Sequence, residues 1–152
     1  MEHIIFRTAL PADLPAIVGL LADDALGSQR ETVGSPLDER YVAGFKAIEA
    51  DPNQRLVVAM DGDAVVGTLQ ISFIPGIARR GAWRGQIEAV RIAAPYRSAR
   101  IGQQMFEWAI SACRARGCAL VQLTTDKGRP DAHRFYERLG FVASHEGYKL
   151  IL

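Results

Sequence analysis

The sequence predicts an α/β protein of the α+β kind. Its centre is a mixed, mostly antiparallel, twisted sheet of about six to seven strands, with helices on both faces. Three observations carry that prediction. Two β-branched runs, Arg55–Met60 and Ala64–Ile74, flank Asp61-Gly62-Asp63, which is a hairpin signature. A strand-like run at Gln86–Ala94, a helical pattern over about Ile101–Arg116 and a second apolar run at Cys118–Thr125 form a strand–helix–strand crossover, which sets its two strands parallel. Two segments near the N-terminus repeat apolar residues at the helical period. The resulting order is β-α-α-β-β-β-α-β-α-β-β, and a chain of 152 residues suits one domain, 1–152, around one core.

Each element has its own warrant. His3–Ala9 alternates as a first strand. Leu14, Ile17, Val18 and Leu21 share one helical face behind Pro11, a residue tolerated in a first helical turn. Gly27–Pro36 reads as a loop, and Leu37–Pro52 as a second helix with Tyr41, Phe45 and Ile48 on one side. After the hairpin, Pro75–Gly85 is a basic, glycine-rich connection. The helix from Ile101 ends with Arg114 and Arg116 suited to its negative terminus, and Gly117 just past it. Arg129–Gly140 is a short helix with Pro130 near its start. Phe141–Ser144 and Gly147–Leu152 read as closing strands.

Bulk properties exclude several classes. The net charge of +1 provides no broad field to recruit nucleic acid or a membrane. No apolar run approaches the roughly 18 residues of a membrane helix. The N-terminal residues do not read as a signal peptide, so a cytoplasmic location is expected. Cys113 and Cys118 then read as reduced thiols rather than a disulfide. Three scattered histidines and two cysteines show no metal-ligand spacing, so no metal is expected.

One stretch demands a partner. Arg97-Ser98-Ala99-Arg100-Ile101-Gly102 places two cations at the mouth of a helix whose N-terminus already carries partial positive charge. An anion resolves the conflict, because the first helical amides have no acceptor within the helix and bind phosphate well. The alternative is a solvated loop whose arginines pair with nearby carboxylates such as Glu107. The stretch is neither a Walker loop nor a dinucleotide fingerprint.

Strand, R-x-x-x-x-G, amphipathic helix, strand, then Ala132-His133-Arg134-Phe135-Tyr136-Glu137-Arg138-Leu139-Gly140-Phe141 resembles the GNAT superfamily of acyl-CoA-dependent N-acyltransferases. The likeness runs through the whole chain in element order and is strongest over Gln86–Phe141. The family loop is [RQ]-x-x-G-x-[GA]. Arg97, Arg100 and Gly102 stand at its marked positions, so arginine replaces the middle glycine. A Cβ there is tolerable where φ is negative.

The resemblance implies acetyl-CoA as co-substrate. Its pyrophosphate would lie on Arg97, Ser98, Ala99, Arg100, Ile101, Gly102 and Gln103. Its pantetheine arm would pair like an added strand with Val90-Arg91-Ile92, and Phe135 and Tyr136 would complete the cofactor site. Acyl transfer to an amine needs a proton acceptor, an oxyanion donor and a proton for the leaving thiolate. Glu88, the backbone N–H of Val90 and the Tyr136 hydroxyl are the candidates. Period-two alternation would set Glu88 on one side with Val90 and Ile92. Glu88 reads equally as a carboxylate paired with Arg84 or Arg91, and Tyr136 as part of an apolar helical face.

The resemblance also implies that the acceptor would meet Tyr41, Phe73, Trp83, Glu88 and Tyr148, although Tyr41 reads more readily as helix packing; the basic tip Arg79, Arg80 and Arg84 could suit an anionic substrate group or equally be solvated. The expected reaction is N-acetylation of a primary amine, on a small molecule or peptide, by direct attack in a ternary complex. A non-catalytic acyl-CoA-binding sensor is the rival, and a nucleic-acid binder is disfavoured by the near-neutral charge. The resemblance also allows a homodimer.

Overall fold

The computed structural model describes residues 3–152, which fall into two compact units, 3–122 and Leu123–Leu152. The first unit holds a five-stranded sheet in the order β1 (Ile4–Thr8), β2 (Gln54–Asp61), β3 (Ala64–Ile74), β4 (Trp83–Ile92) and β5 (Cys118–Gln122). Neighbours are antiparallel except β4 and β5, the parallel pair that the crossover demands. Helices α1 (Leu14–Ala22), α2 (Gly27–Arg30) and α3 (Glu39–Ala50) precede β2. The single turn α4 (Ala78–Gly81) lies before β4, and α5 (Ile101–Ala115) joins β4 to β5. The second unit contains α6 (Pro130–Arg138). Among the described residues no helix is long and apolar enough to cross a membrane.

The two sheet faces bury different helices. Leu56, Val58 and Met60 of β2 pack with Leu14, Ile17 and Phe45 of α1 and α3. The alternate residues Val57 and Ala59, with Leu69, Ile71 and Ile87, are buried with the apolar stripe of α5: Ile101, Met105, Phe106, Ala109 and Cys113. Each large side chain buried there contributes about 1.5–3 kcal/mol. Gly85 lets α5 come close, since a Cβ on it would lie 2.3 Å from Cys113 Sγ. The helical turns α2 and α4 lie in stretches that composition alone marks as loops, and in α4 both Arg79 and Arg80 adopt left-handed backbone angles.

Among the described residues the sheet therefore has five strands, not six or seven. Phe141–Ser144 and Gly147–Leu152, which read as strands, belong to no ladder. Alternation is a local property, but a strand exists only where an edge pairs with it.

Candidate active site

The centre of the site is an irregularity in β4. Gln70 faces Glu88, and two residues back on β3 Thr68 faces Arg91, three residues on along β4. β4 therefore carries one extra residue, and Ala89 takes up the slack in a left-handed conformation at φ 55°. This is a β-bulge, which bends and twists its strand. A non-glycine residue there costs on the order of 1–2 kcal/mol.

The bulge corrects the expected alternation. Glu88 shares a face with Gln70, Thr68 and Arg91, whereas Ile92, opposite Gly67, belongs to the α5 face. Glu88 and Ile92 thus point to opposite faces, because the extra residue inverts the pleat beyond it. A Cβ on Gly67 would come within 2.8 Å of Ile92 Cδ1, so this glycine leaves room for Ile92 to pack.

β4 also runs on beyond the end of β5. β5 pairs only with Trp83–Gln86, which leaves the β5-side edge of residues 87–92 unladdered in this unit. An unpaired edge offers alternating N–H and C=O groups to an extended, peptide-like partner. Arg91 Nη1 donates to the Val90 carbonyl at 2.8 Å, and its Nε lies 3.7 Å from Asp24 Oδ2. Arg97 Nε donates to the Ile92 carbonyl at 3.2 Å, and its Nη2 lies 3.6 Å from Asp23 Oδ2. The Arg97–Ile92 bond ties the loop that follows β4 to the end of that strand.

At that end begins α5. Its first bond runs from Gln104 N–H to the Arg100 carbonyl, so the amides of Ile101, Gly102 and Gln103 have no acceptor within the helix. Ser98 and Arg100 are exposed, and Ala99 is half-buried, donating its N–H to Tyr96. The 15-residue helix brings its dipole to this point. Three amides, two guanidinium groups and the adjoining open edge fit a pyrophosphate carrying an extended arm. Arg100 itself has φ 60° and ψ 13°. The arginine in the glycine position thus does not have the negative φ that its Cβ requires. It occupies the left-handed seat for which glycine is suited.

At the bulge a cavity of about 190 Å³ opens between the sheet and helices α1 and α3. Ala89, Gln70 and Thr68 form its floor, Leu14, Ile17 and Val18 one wall, and Arg40, Tyr41 and Phe45 another. The Tyr41 hydroxyl accepts from Thr32 N–H at 2.8 Å and donates to Glu31 Oε1 at 3.0 Å. Burial raises its pKa, so it stays a neutral wall residue. Arg40 pairs with Asp38 at 2.7 Å and holds that carboxyl at about 2. Beside the cavity the same sheet face carries a cross-strand polar row. Ser72 Oγ and Gln70 Nε2 donate to Gln54 Oε1, and Gln122 Nε2 donates to Gln86 Oε1.

In the second unit, Tyr136 stands on α6 between two aromatic neighbours, Phe135 at 5.5 Å and Phe141 at 6.1 Å between ring centroids. Both Phe135 and Tyr136 are half-buried.

Residues 21–141 match the model of the acetyltransferase (GNAT) family. The chain belongs to the GNAT acetyltransferase family. It is 35% identical over 116 residues to the aminoalkylphosphonate N-acetyltransferase of Salmonella typhimurium strain LT2, a match covering 76% of this chain and 75% of that one. Among solved structures, a transcriptional regulator from Bacillus halodurans C-125 is 49% identical with a TM-score of 0.96, over 99% of this chain and all of that one. A Trypanosoma brucei acetyltransferase is 25% identical with a TM-score of 0.79, covering 99% of this chain and all of that one. This GNAT chain is therefore an acyl-CoA-dependent acetyltransferase.

Against that identity, the sequence-derived acceptor residues divide. Tyr41 lines the cavity and Glu88 stands on its face of the sheet, next to Ala89. Phe73 does not line it. It is buried on the α5 face, with Arg55 and Arg116 over its ring at 5.6 and 4.2 Å. Trp83 sits at the opposite end of β4 from the bulge, paired with Cys118, and Tyr148 is an exposed residue of the second unit. The family resemblance pointed to Phe73 as the start of the connection lining the acceptor side, but strand parity turns it to the other face. Sequence reasoning missed Gln70, Thr68 and Ala89. A signal existed for the first two: polar residues at one parity in otherwise apolar strands. Ala89 carried none, since nothing in an alanine announces a positive φ.

Proposed function

We propose that this acetyltransferase passes the acetyl group of acetyl-CoA to the primary amine of a small acceptor, by direct attack in a ternary complex. The observation that carries the reading is the open β4 edge, with the α5 N-terminus at one end and the cavity at the bulge. The amides of Ile101, Gly102 and Gln103, with Ser98, Ala99, Arg97 and Arg100, would hold the pyrophosphate. The backbone of Val90, Arg91 and Ile92 would hold the pantetheine arm as an added strand. Phe135 would pack against the cofactor.

The reaction then needs little more than proton management. An acceptor amine arrives largely as ammonium, of pKa about 10, and must lose a proton to attack. Glu88, on the cavity face beside the bulge, accepts it directly or through water. The Val90 N–H, just past the bulge, stabilises the oxyanion. The Tyr136 hydroxyl returns a proton to the departing thiolate. The cofactor supplies the activated acyl group, and the chain supplies position and protons.

The cavity suggests a small acceptor. The similarity to an enzyme named for aminoalkylphosphonates favours an amine that also bears an anionic group. Thiol release from acetyl-CoA tests this across aminoalkylphosphonates, neutral alkylamines, polyamines and peptides. The expected profile peaks at the anionic amines. Release with none of the amines, alongside tight acetyl-CoA binding, would overturn the small-amine reading.

A further inference from the structure

The cavity at the bulge has walls of one chemistry. Leu14, Ile17, Val18 and Leu21 of α1, with Phe45 and Ile48 of α3, close it above the sheet. Each polar side chain of the lining already has a protein partner. Arg40 forks onto Asp38, with Nε donating to Oδ1 at 3.0 Å and Nη2 to Oδ2 at 2.7 Å. The Tyr41 hydroxyl is engaged by Thr32 and Glu31. Thr68 Oγ1 donates to the Val57 carbonyl and Gln70 Nε2 to Gln54 Oε1, both at 2.9 Å. A polar group placed here would give up water without gaining a partner, whereas a hydrocarbon group gains by leaving water.

The space is of ligand size. About 190 Å³ exceeds the ~150 Å³ in which a dry apolar protein cavity takes up a benzene ring. Its mouth is kept wide by Gly44, which lines the cavity from the exposed side of α3. A Cβ built on Gly44 meets nothing within 4 Å. Glycine in a helix interior weakens the helix, so α3 gains nothing from it. The cavity gains an open side.

We propose, on the small-amine reading above, that this cavity receives an apolar substituent carried by the acceptor, a branched alkyl group or single ring of about four to six carbons. Ala89 forms the floor, and Glu88 stands beside it on the cavity face of the sheet. An amine presented to Glu88 therefore carries its substituent over Ala89 and between α1 and α3. The acceptor class is then an amine with a compact hydrocarbon side group, rather than a bare aminoalkyl chain or a polyamine.

Thiol release from acetyl-CoA tests this on the unaltered protein. The acceptors are 1-aminoalkylphosphonates whose side group grows from hydrogen through methyl and isopropyl to isobutyl and phenyl, and the corresponding amines without the phosphonate. In both series kcat/KM should rise about fourfold per added methylene until the cavity is full. Equal values along both series overturn the proposal and leave acetyl transfer to small amines standing. Release with no amine overturns that reading too. A gain along acyl-CoAs of growing chain length, with none along the amines, assigns the cavity to the acyl group and overturns the proposal. Gly44→Leu fills the mouth and should lower the isobutyl-to-hydrogen ratio of kcat/KM by about tenfold or more. An unchanged ratio in the folded variant places the side group elsewhere. If that variant fails to fold, the two amine series still decide.

Discussion

Replacing Arg100 by glycine should raise stability and lower coenzyme A affinity at once. Arg100 caps α5 at φ 60°, a conformation that costs an L-residue about 1–2 kcal/mol and glycine almost nothing. Glycine gives back about 0.4–1 kcal/mol through the greater freedom of the unfolded chain. The net gain over alanine at the same site is then about 0.5–1 kcal/mol, or roughly 1–4 °C in Tm for a chain of this size. Alanine is the control, because both variants remove a cation from a helix N-terminus and only glycine relieves the backbone. Both variants should bind CoA more weakly. An exposed guanidinium facing a phosphate contributes about 1 kcal/mol, which is about fivefold in Kd. Thermal unfolding and titration calorimetry on the three proteins give both quantities. Equal stabilities of the alanine and glycine variants would refute the strained seat. Unchanged CoA affinity in both would show that the side chain is no ligand and that the amides act alone.

Other outcomes follow from the same geometry. Glu88→Gln should lower turnover and flatten the acidic limb of the rate–pH profile; an unaltered limb points to another base. Tyr136→Phe should reduce kcat by about 100-fold or more with acetyl-CoA affinity nearly unchanged, as expected for loss of a general acid. Gly85→Ala forces a Cβ to within 2.3 Å of Cys113 Sγ and should cost about 1–3 kcal/mol, partly recovered in a Gly85→Ala/Cys113→Ala double variant. Additive losses in that cycle would show that the two residues do not compete for space. Asp13 accepts from Arg7 at 2.7 Å and from Leu10 N–H, and the Arg7 hydrogen bond is the main cause holding its pKa below the usual carboxylate value. Its contribution is therefore complete at neutral pH and is lost as acid protonates it below about pH 4. Asp13→Asn should flatten that part of the stability–pH curve in chemical denaturation.

The site was legible in the sequence where the chemistry is local. The clash of Arg97 and Arg100 with a helix N-terminus can be read from neighbouring residues, as can the Asp61-Gly62 hairpin and the α5 stripe. Glu88 was assigned to the right strand but grouped with the wrong companions. Alternation assumes a regular pleat, and the bulge at Ala89 inverted it. Phe73 and Trp83 were grouped with the acceptor on the family resemblance, as the two ends of one connection, while strand register sent Phe73 to the α5 face and Trp83 to the far end of β4. The final runs were given strand status on composition, which does not say whether an edge is available to them.

The sequence alone thus determined most of the elements, the crossover and the placing of Arg97 and Arg100 at the mouth of α5, because periodicity, turn residues and helix-end signals act over a few residues. Only the tertiary structure decided which face Glu88 occupies, where β4 leaves β5, and that Arg100 stands in a left-handed seat. The first depends on one extra residue in β4 being absorbed by Ala89, the second on how far β5 runs alongside β4, and the third on a backbone angle that residue type does not announce.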